Sequence, residues 1–350
     1  MAQNRLYFAV KAIGIAPFGS NAFVAVKGAQ SVGINTNFNL EQVFELGQLA
    51  IYENIENIPD IECTLERVLD GTTLAYHLAT RGYASGTLAG RANRRCNVAL
   101  SLFSDQNDSA SGVQVGQVDL SGMFLSSAGY QFPVDGNFTE SVTLVGNNKV
   151  WRASGFTFTG GFLNTDTPVL ASGGVNRRED LIFTGQNGTG LDTNNQVAAT
   201  NCTILPPEIQ GINSSGLNVP DSLGNYPASI QNISTTVDLG REEIDELGHK
   251  APYFRFVNFP VEVKTDIEII SKSGDFISGT DTGINSDGTN LSNRTIKIKA
   301  REGIFINLGT KNKLNSVTMG GADAGGGNET ITYSYTTFND FTVEHPQDPL

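Results

Sequence analysis

Histidine, cysteine, methionine and tryptophan are scarce in this 350-residue chain, which holds three His, three Cys, three Met and one Trp. His77, His249 and His345 stand in no metal-ligand spacing and beside no nucleophile motif. Cys63, Cys96 and Cys202 are odd in number and far apart, which predicts idle buried thiols in a reducing compartment and no disulfide framework. The sequence has no G-x-S-x-G, no P-loop and no H-E-x-x-H. The stretch DTGINSDGTN lacks the acidic spacing of a calcium loop. GGADAGGGN has no helix after it to offer amides to a phosphate. The expectation is therefore no catalytic residue, no cofactor, no metal and no enzyme activity.

Long apolar runs are also missing, with none near the ~20 residues of a membrane helix. The N-terminal MAQNRLYFAVKAIG has no apolar core followed by a cleavage site, so neither membrane insertion nor a leader is expected. Positive charge is limited: 23 Lys and Arg against 36 Asp and Glu give a net charge of -13. Such acidity argues against tight nucleic-acid binding, which needs cations on phosphates. It remains compatible with a surface past which DNA moves without sticking. The dense basic spots are Arg91, Arg94 and Arg95, and Arg177 with Arg178. They are read as candidate intersubunit contacts, since guanidinium suits interfaces rich in carboxylates.

What the chain does have is one pattern twice. EQVFELGQLAIYENIENIP (Glu41 to Pro59) and EEIDELGHKAPYFRFVNFP (Glu242 to Pro260) align at an offset of 201 without a gap. Glu41, Glu45, Leu46, Gly47, Ala50, Tyr52, Asn57 and Pro59 fall on identical residues. A fixed-offset self-match predicts two related units, and pseudo-symmetry of that kind suggests an assembly more than a monomeric enzyme.

Thirty-nine glycines, frequent Asn, Ser and Thr, and recurrent Val, Ile and Phe favour strands and turns over helices. Alternation marks Ser31 to Phe38, Ile61 to Val68, Ser229 to Val237 and Val261 to Ile270 as half-buried strands. Ile61, Cys63 and Leu65 should face one way, and Val261, Val263, Thr265, Ile267 and Ile269 likewise. Leu40–Leu46 and Arg241–Leu247 read as short turns of helix closed by Gly47 and Gly248. LAYHLATRG, with Thr72 or Thr73 as N-cap and Gly82 as stop, is a credible helix. Turns are expected at Gly129 and Asp135-Gly136. The fold class is all-β with one or two short helices. The expected division is a first unit at 1–151, bridging hairpins and loops at 152–226, and a second unit at 227–350.

With those residues in view, the chain resembles the tail tube proteins of bacteriophages. The likeness lies in NFNLEQVFELGQLAIYENIENIPDIECTLERVLDG (Asn37 to Gly71) and PVDGNFTESVTLVGNNKVW (Pro133 to Trp151). It extends to LGHKAPYFRFVNFPVEV (Leu247 to Val263) and INLGTKNKLNSVTMGG (Ile306 to Gly321). The resemblance implies two tandem β-sandwich or barrel-like units, each with a place in a ring whose inner strands form a continuous barrel. Stacked rings would make a hollow tube that conducts DNA into the host. Most such proteins have one unit per chain and six chains per ring, so two units imply trimers with pseudo-sixfold symmetry. Implied partners are further copies of the chain and the tape measure protein, with a sheath protein left open. DNA would pass the lumen without specific binding, and the protein would belong to the virion after assembly in the host cytoplasm. Candidate lumen-facing carboxylates are Glu62, Glu66, Glu262, Asp266 and Glu268. The alternatives are a baseplate hub or tail-terminator component, or a surface adhesion or carbohydrate-binding β protein. The last usually exposes clustered aromatics, whereas this chain has only Trp151 for its tryptophan.

Overall fold

A computed structural model of the chain describes residues 5–83, 85–104, 114–153, 158, 174–183, 202–223, 225–249, 251–275, 277, 292–320, 327–346 and 348. The Gly-rich stretches expected as loops at 154–173, 184–201, 278–291 and 321–326 lie almost wholly outside these residues. The first half holds β1 (Lys11–Pro17), β2 (Val24–Ala25), β3 (Ala29–Asn37), β4 (Leu40–Phe44), β5 (Ile51–Glu56) and β6 (Asp60–Val68). It continues through α1 (Ala75–Ala79), α2 (Leu88–Ala92), β7 (Arg95–Phe103), β8 (Gln114–Pro133), β9 (Thr139–Gly146) and β10 (Asn148–Arg152). The second half holds β11 (Ile230–Asp238), β12 (Arg241–Ile244), β13 (Phe254–Val257), β14 (Glu262–Ile270) and β15 (Lys297–Lys299). It ends with β16 (Phe305–Asn307), β17 (Lys313–Gly320), β18 (Thr330–Phe338) and β19 (Thr342–Glu344). The protein is all-β, with two short α-helices among the described residues.

Antiparallel pairing carries one sheet through both halves, in the order β3-β6-β9-β8-β11-β14-β18-β17. Alternation puts apolar side chains on one face. Val32 pairs with Leu65, Leu65 with Val142, Val142 with Ala128, Ala128 with Val237 and Val237 with Val263. Helix α1, the segment 202–212, strands β15 and β16, and Phe341 with Val343 cover that face, so a single apolar cluster spans both halves. Burial of this continuous apolar surface is the main force holding the halves together.

Strand β8 is the branch point of the sheet, which also takes in β10, β7, β1 and β2. Its first half pairs with β7 and β10, its second with β9 and β11. The change of direction falls at Gly122, whose φ of 70° lies in the left-handed region where a side chain is strained. Gly122 N–H donates to Asn97 Oδ1 at 3.1 Å, which fixes the bend. The turn expected at Gly129 is instead mid-strand. Gly129 pairs with Ser141 on one side and Thr236 on the other, and a Cβ there would sit 2.7 Å from Ser141 Oγ. It is a site of close cross-strand approach.

The segments after Asn39 and Gly240 also differ from the helical turns expected. β4 pairs with β5, and β12 with β13, as hairpins. Gly47 and Gly248 do have positive φ, at 93° and 88°, but they close hairpin tips. A single helical turn is costly to nucleate, and cross-strand pairing satisfies more backbone groups here. The strands on either side of Pro59, and of Pro260, do not pair with each other: β5 pairs with β4, while β6 pairs with β3 and β9.

The two halves repeat the same order in detail. An offset of 201 carries Ala29–Asn37 onto Ile230–Asp238. It also carries every pair of the first hairpin from Leu40↔Glu56 to Val43↔Glu53 onto the pairs from Arg241↔Val257 to Ile244↔Phe254. The registers slip between Ala29 and Ser31 and between Ile230 and Asn232, so Gln30 and Gln231 are the matching bulged residues. After Pro260 the offset becomes 202, which keeps Ile61 and Val263 on the buried face; a slip of one would have turned the strand over. Offsets of 189 and 191 relate the second half of β8 to β17 and β9 to β18, with bulges again matched at Leu125/Ser127 and Leu314/Ser316.

Candidate functional site

The eight-stranded sheet has a second face, and its side chains are almost all polar. One row across it reads Ser31, Glu66, Ser141, Gly129, Thr236, Lys264, Thr336 and Lys313. A second runs Gln131, Ser234, Asp266, Ser334 and Ser316. A third runs Asn232, Glu268, Thr332 and Thr318. Glu62 joins the face between Asn35 and Val145, and Glu262 joins it opposite Phe338. All five carboxylates singled out from the sequence, Glu62, Glu66, Glu262, Asp266 and Glu268, therefore share one face. Lys264, which shares the face with Lys313, lies 3.3 Å from Glu262. Asp238, exposed at the end of β11, adds a further acid. A groove of about 480 Å³ on this face is lined by Ser127, Ser141, Thr236, Asp238, Glu262 and Lys264 with backbone of the neighbouring strands. Among the described residues no group of three or more His, Cys, Asp and Glu is placed to hold a metal ion.

The second feature is the seam where β8 meets β11, from Pro133↔Asn232 to Ser127↔Asp238. Hairpin β12–β13 folds over one end of it. The Phe254 ring meets Phe124 edge-on at 4.9 Å. Arg241 lays its guanidinium 4.9 Å from the Phe124 ring and donates to Leu125 O at 2.6 Å, Arg255 O at 3.0 Å and Ala92 O. Arg255 donates to Asp60 at 2.6 Å, to Asn147 Oδ1 at 3.3 Å and to Glu243. Burial pushes Arg241 down to about 10, with Arg255 adding to the shift, and burial likewise lowers Arg255 against the opposing pull of Asp60. Sequence reading missed this lock; a hairpin carrying two arginines where its twin has Leu40 and Asn54 was the available signal. Arg241→Ala should lower the free energy of unfolding by about 2–3 kcal/mol, because three carbonyls lose a charged donor. Urea denaturation of the variant checks this, and an unchanged midpoint would mean the lock contributes nothing.

The arginines proposed as intersubunit contacts scatter. Arg91 is buried and spends its charge inside the chain, on Asp348 and on Thr80 Oγ1 at 3.1 Å, with Tyr83 3.6 Å beneath it. Arg94 is half-buried at the end of α2. Arg95 lies 3.9 Å over Phe18 and 5.7 Å from Phe254, on the internal seam. Arg177 and Arg178 are exposed, and Arg177 donates to Asn137 at 3.1 Å. All three cysteines are buried, and burial pushes the Cys63 thiol up to about 12.

No known protein family matches this sequence, and no curated protein does. Solved structures similar to it include three from contractile injection systems. One is the baseplate of the anti-feeding prophage, with 10% identity over 43% of this chain and 97% of that chain and a TM-score of 0.32. Another is the sheath–tube complex of the PVC extracellular contractile injection system, with 9% identity over 44% and 95% of the two chains and a TM-score of 0.32. A third is the tube-terminating cap of the anti-feeding prophage, with 12% identity over 44% and 95% and a TM-score of 0.33.

Proposed function

We propose that this chain is a structural subunit of a phage-type tail tube, built from two quasi-equivalent units. The observation that carries the reading is the internal seam. Two four-stranded sheets of matching register and matching bulges join there through β8 and β11. The same pair of edges is left over at the ends, because among the described residues β17 pairs only with β18 and β3 only with β6. β17 stands where β8 stands in the first unit, and β3 stands where β11 stands in the second. Unpaired edges of this kind are aggregation-prone unless another strand takes them. Copies joined edge to edge would close a ring without free edges. Three chains of eight strands would make a barrel of 24 strands with pseudo-sixfold symmetry.

The polar face fits the inside of such a barrel. Hydroxyls and carboxylates dominate it, and carboxylates repel a phosphate backbone, so DNA would slide instead of binding. The same lumen would hold a tape measure protein before DNA passes, and whether a sheath surrounds the tube stays open. The reading assigns no catalysis and places the protein in the virion. Electron microscopy of the purified protein, alone and with virion components, tests it: rings of three chains that stack are expected. Single rings that never stack would move the assignment to a hub or terminator, and discrete monomers under every condition would overturn it.

A further inference from the structure

The outer edges can be superposed on the internal seam residue by residue, and the chemistry that results is different. Subtracting 201 from β11 gives β3, and adding 189 to β8 gives β17. The seam pair Asp238↔Ser127 then becomes Asn37↔Ser316, Thr236↔Gly129 becomes Asn35↔Thr318, and Thr235↔Tyr130 becomes Ile34↔Met319. The aromatic contact of Phe254 with Phe124 becomes Glu53 against Lys313. Arg241 becomes Leu40 and Arg255 becomes Asn54, so neither arginine of the internal lock has a counterpart. Apolar groups stand exposed on both edges: Phe38 and Leu40 on one side, Met319 and Phe338 on the other. A single chain leaves that surface in water, and a second copy would cover it.

Resting on the ring reading above, we propose that the β3 edge and β4–β5 hairpin of one copy dock on the β17–β18 edge of the next in the register of the internal seam. Glu53 meets Lys313 across that joint, and Ile34 meets Met319. The ring then has two kinds of joint in alternation. The internal one is held by buried arginines and aromatic rings within one chain. The external one is held by a charge pair near solvent and by apolar side chains, so salt weakens it selectively. The charge pair also gives the joint direction, because β3 against β3 would leave Glu53 without Lys313 to meet.

The test uses the full chain, with assembly followed by sedimentation against protein and salt concentration. Glu53→Lys and Lys313→Glu should each raise the concentration for half-assembly about fivefold, and the double exchange should recover most of the loss. In a second arm, Asn35→Cys with Thr318→Cys should give chains linked by disulfides on oxidation. Asn35→Cys with Ser316→Cys, one pleat repeat out of register, should not. Rings that form but crosslink in the shifted pair, or that the double exchange fails to restore, would overturn this joint and leave the ring reading standing. Chains that never associate would overturn both.

Discussion

Replacing Glu140 with alanine is expected to lower the free energy of unfolding by about 3–5 kcal/mol. Glu140 lies on β9, fully buried, in phase with Val142 and Leu144. Its carboxylate accepts from the backbone N–H groups of Ala75 at 2.9 Å and Tyr76 at 3.0 Å, and from the Tyr130 hydroxyl at 3.0 Å. The first residues of a helix have N–H groups without partners inside the helix. Leu74, the N-cap of α1, has no side-chain acceptor for them, and neither Thr72 nor Thr73 takes that role. A residue 65 positions away in sequence supplies it instead. Glu140 also lies 3.8 Å from Arg67, which is itself wholly buried and donates to Asp70 at 2.6 Å, Thr72 Oγ1 at 2.9 Å, Val68 O at 3.2 Å and Thr73 O. Removing the carboxylate leaves a buried guanidinium with one anion where it had two, and strips the cap from α1. Glu140→Gln keeps an acceptor and should cost less than Glu140→Ala. Equilibrium denaturation of both variants gives the ranking, and equal losses would mean that charge plays no part.

Stability should also fall steeply as pH drops from 6.5 to 4. His77 and His345 are both buried, their rings 6.4 Å apart, beside Arg91 and Asp348, with Arg67 and Asp70 also acting on His345. His77 donates from Nε2 to Val343 O at 3.1 Å, while its Nδ1 lies 3.8 Å from Asp348 Oδ1. Burial pushes both imidazoles down to about 4; Asp348 opposes the shift on His77, and Arg91 adds to it. An unfolded imidazole takes its proton near 6.5. Between those values the unfolded chain binds protons that the folded chain does not, so the folded state loses ground as pH falls. Above 6.5 neither state is protonated and the dependence vanishes. The window is worth about 3 kcal/mol for each imidazole. Urea midpoints at pH 7, 5.5 and 4 read the slope, and His77→Gln or His345→Gln should flatten it. A slope that stays unchanged in both variants would assign the acid sensitivity elsewhere.

Alternation made much of this architecture legible. Ile61, Cys63 and Leu65 against Glu62, Thr64 and Glu66 locate a half-buried strand and place two of the five carboxylates on its open face. β14 does the same for Glu262, Asp266 and Glu268. Arg67 and Glu140 were legible by the same phase, since each continues an apolar series, but a charge in that position reads as an exception until its partner across the sheet is known. The hairpins were not legible, because ELG can close either a helix or a strand pair, and only residues 51–56 and 254–257 decide between them. The length of β8 was hidden for a related reason. Glycine punctuates turns in sequence, yet Gly122 bends a continuous strand and Gly129 makes room for Ser141. The domain limit drawn at 151 falls inside β10 and the one at 226 in a loop, while the apolar cluster has members on both sides of them.

The internal seam has a kinetic side. Joining two units through one polypeptide turns one of every two joints into an intramolecular contact, with an effective concentration set by the chain and not by the cell. If three chains close a ring, the formation of a first ring depends on the third power of concentration, where six separate units would require the sixth. In that case a chain of this design starts rings at concentrations where single-unit subunits would still be dispersed.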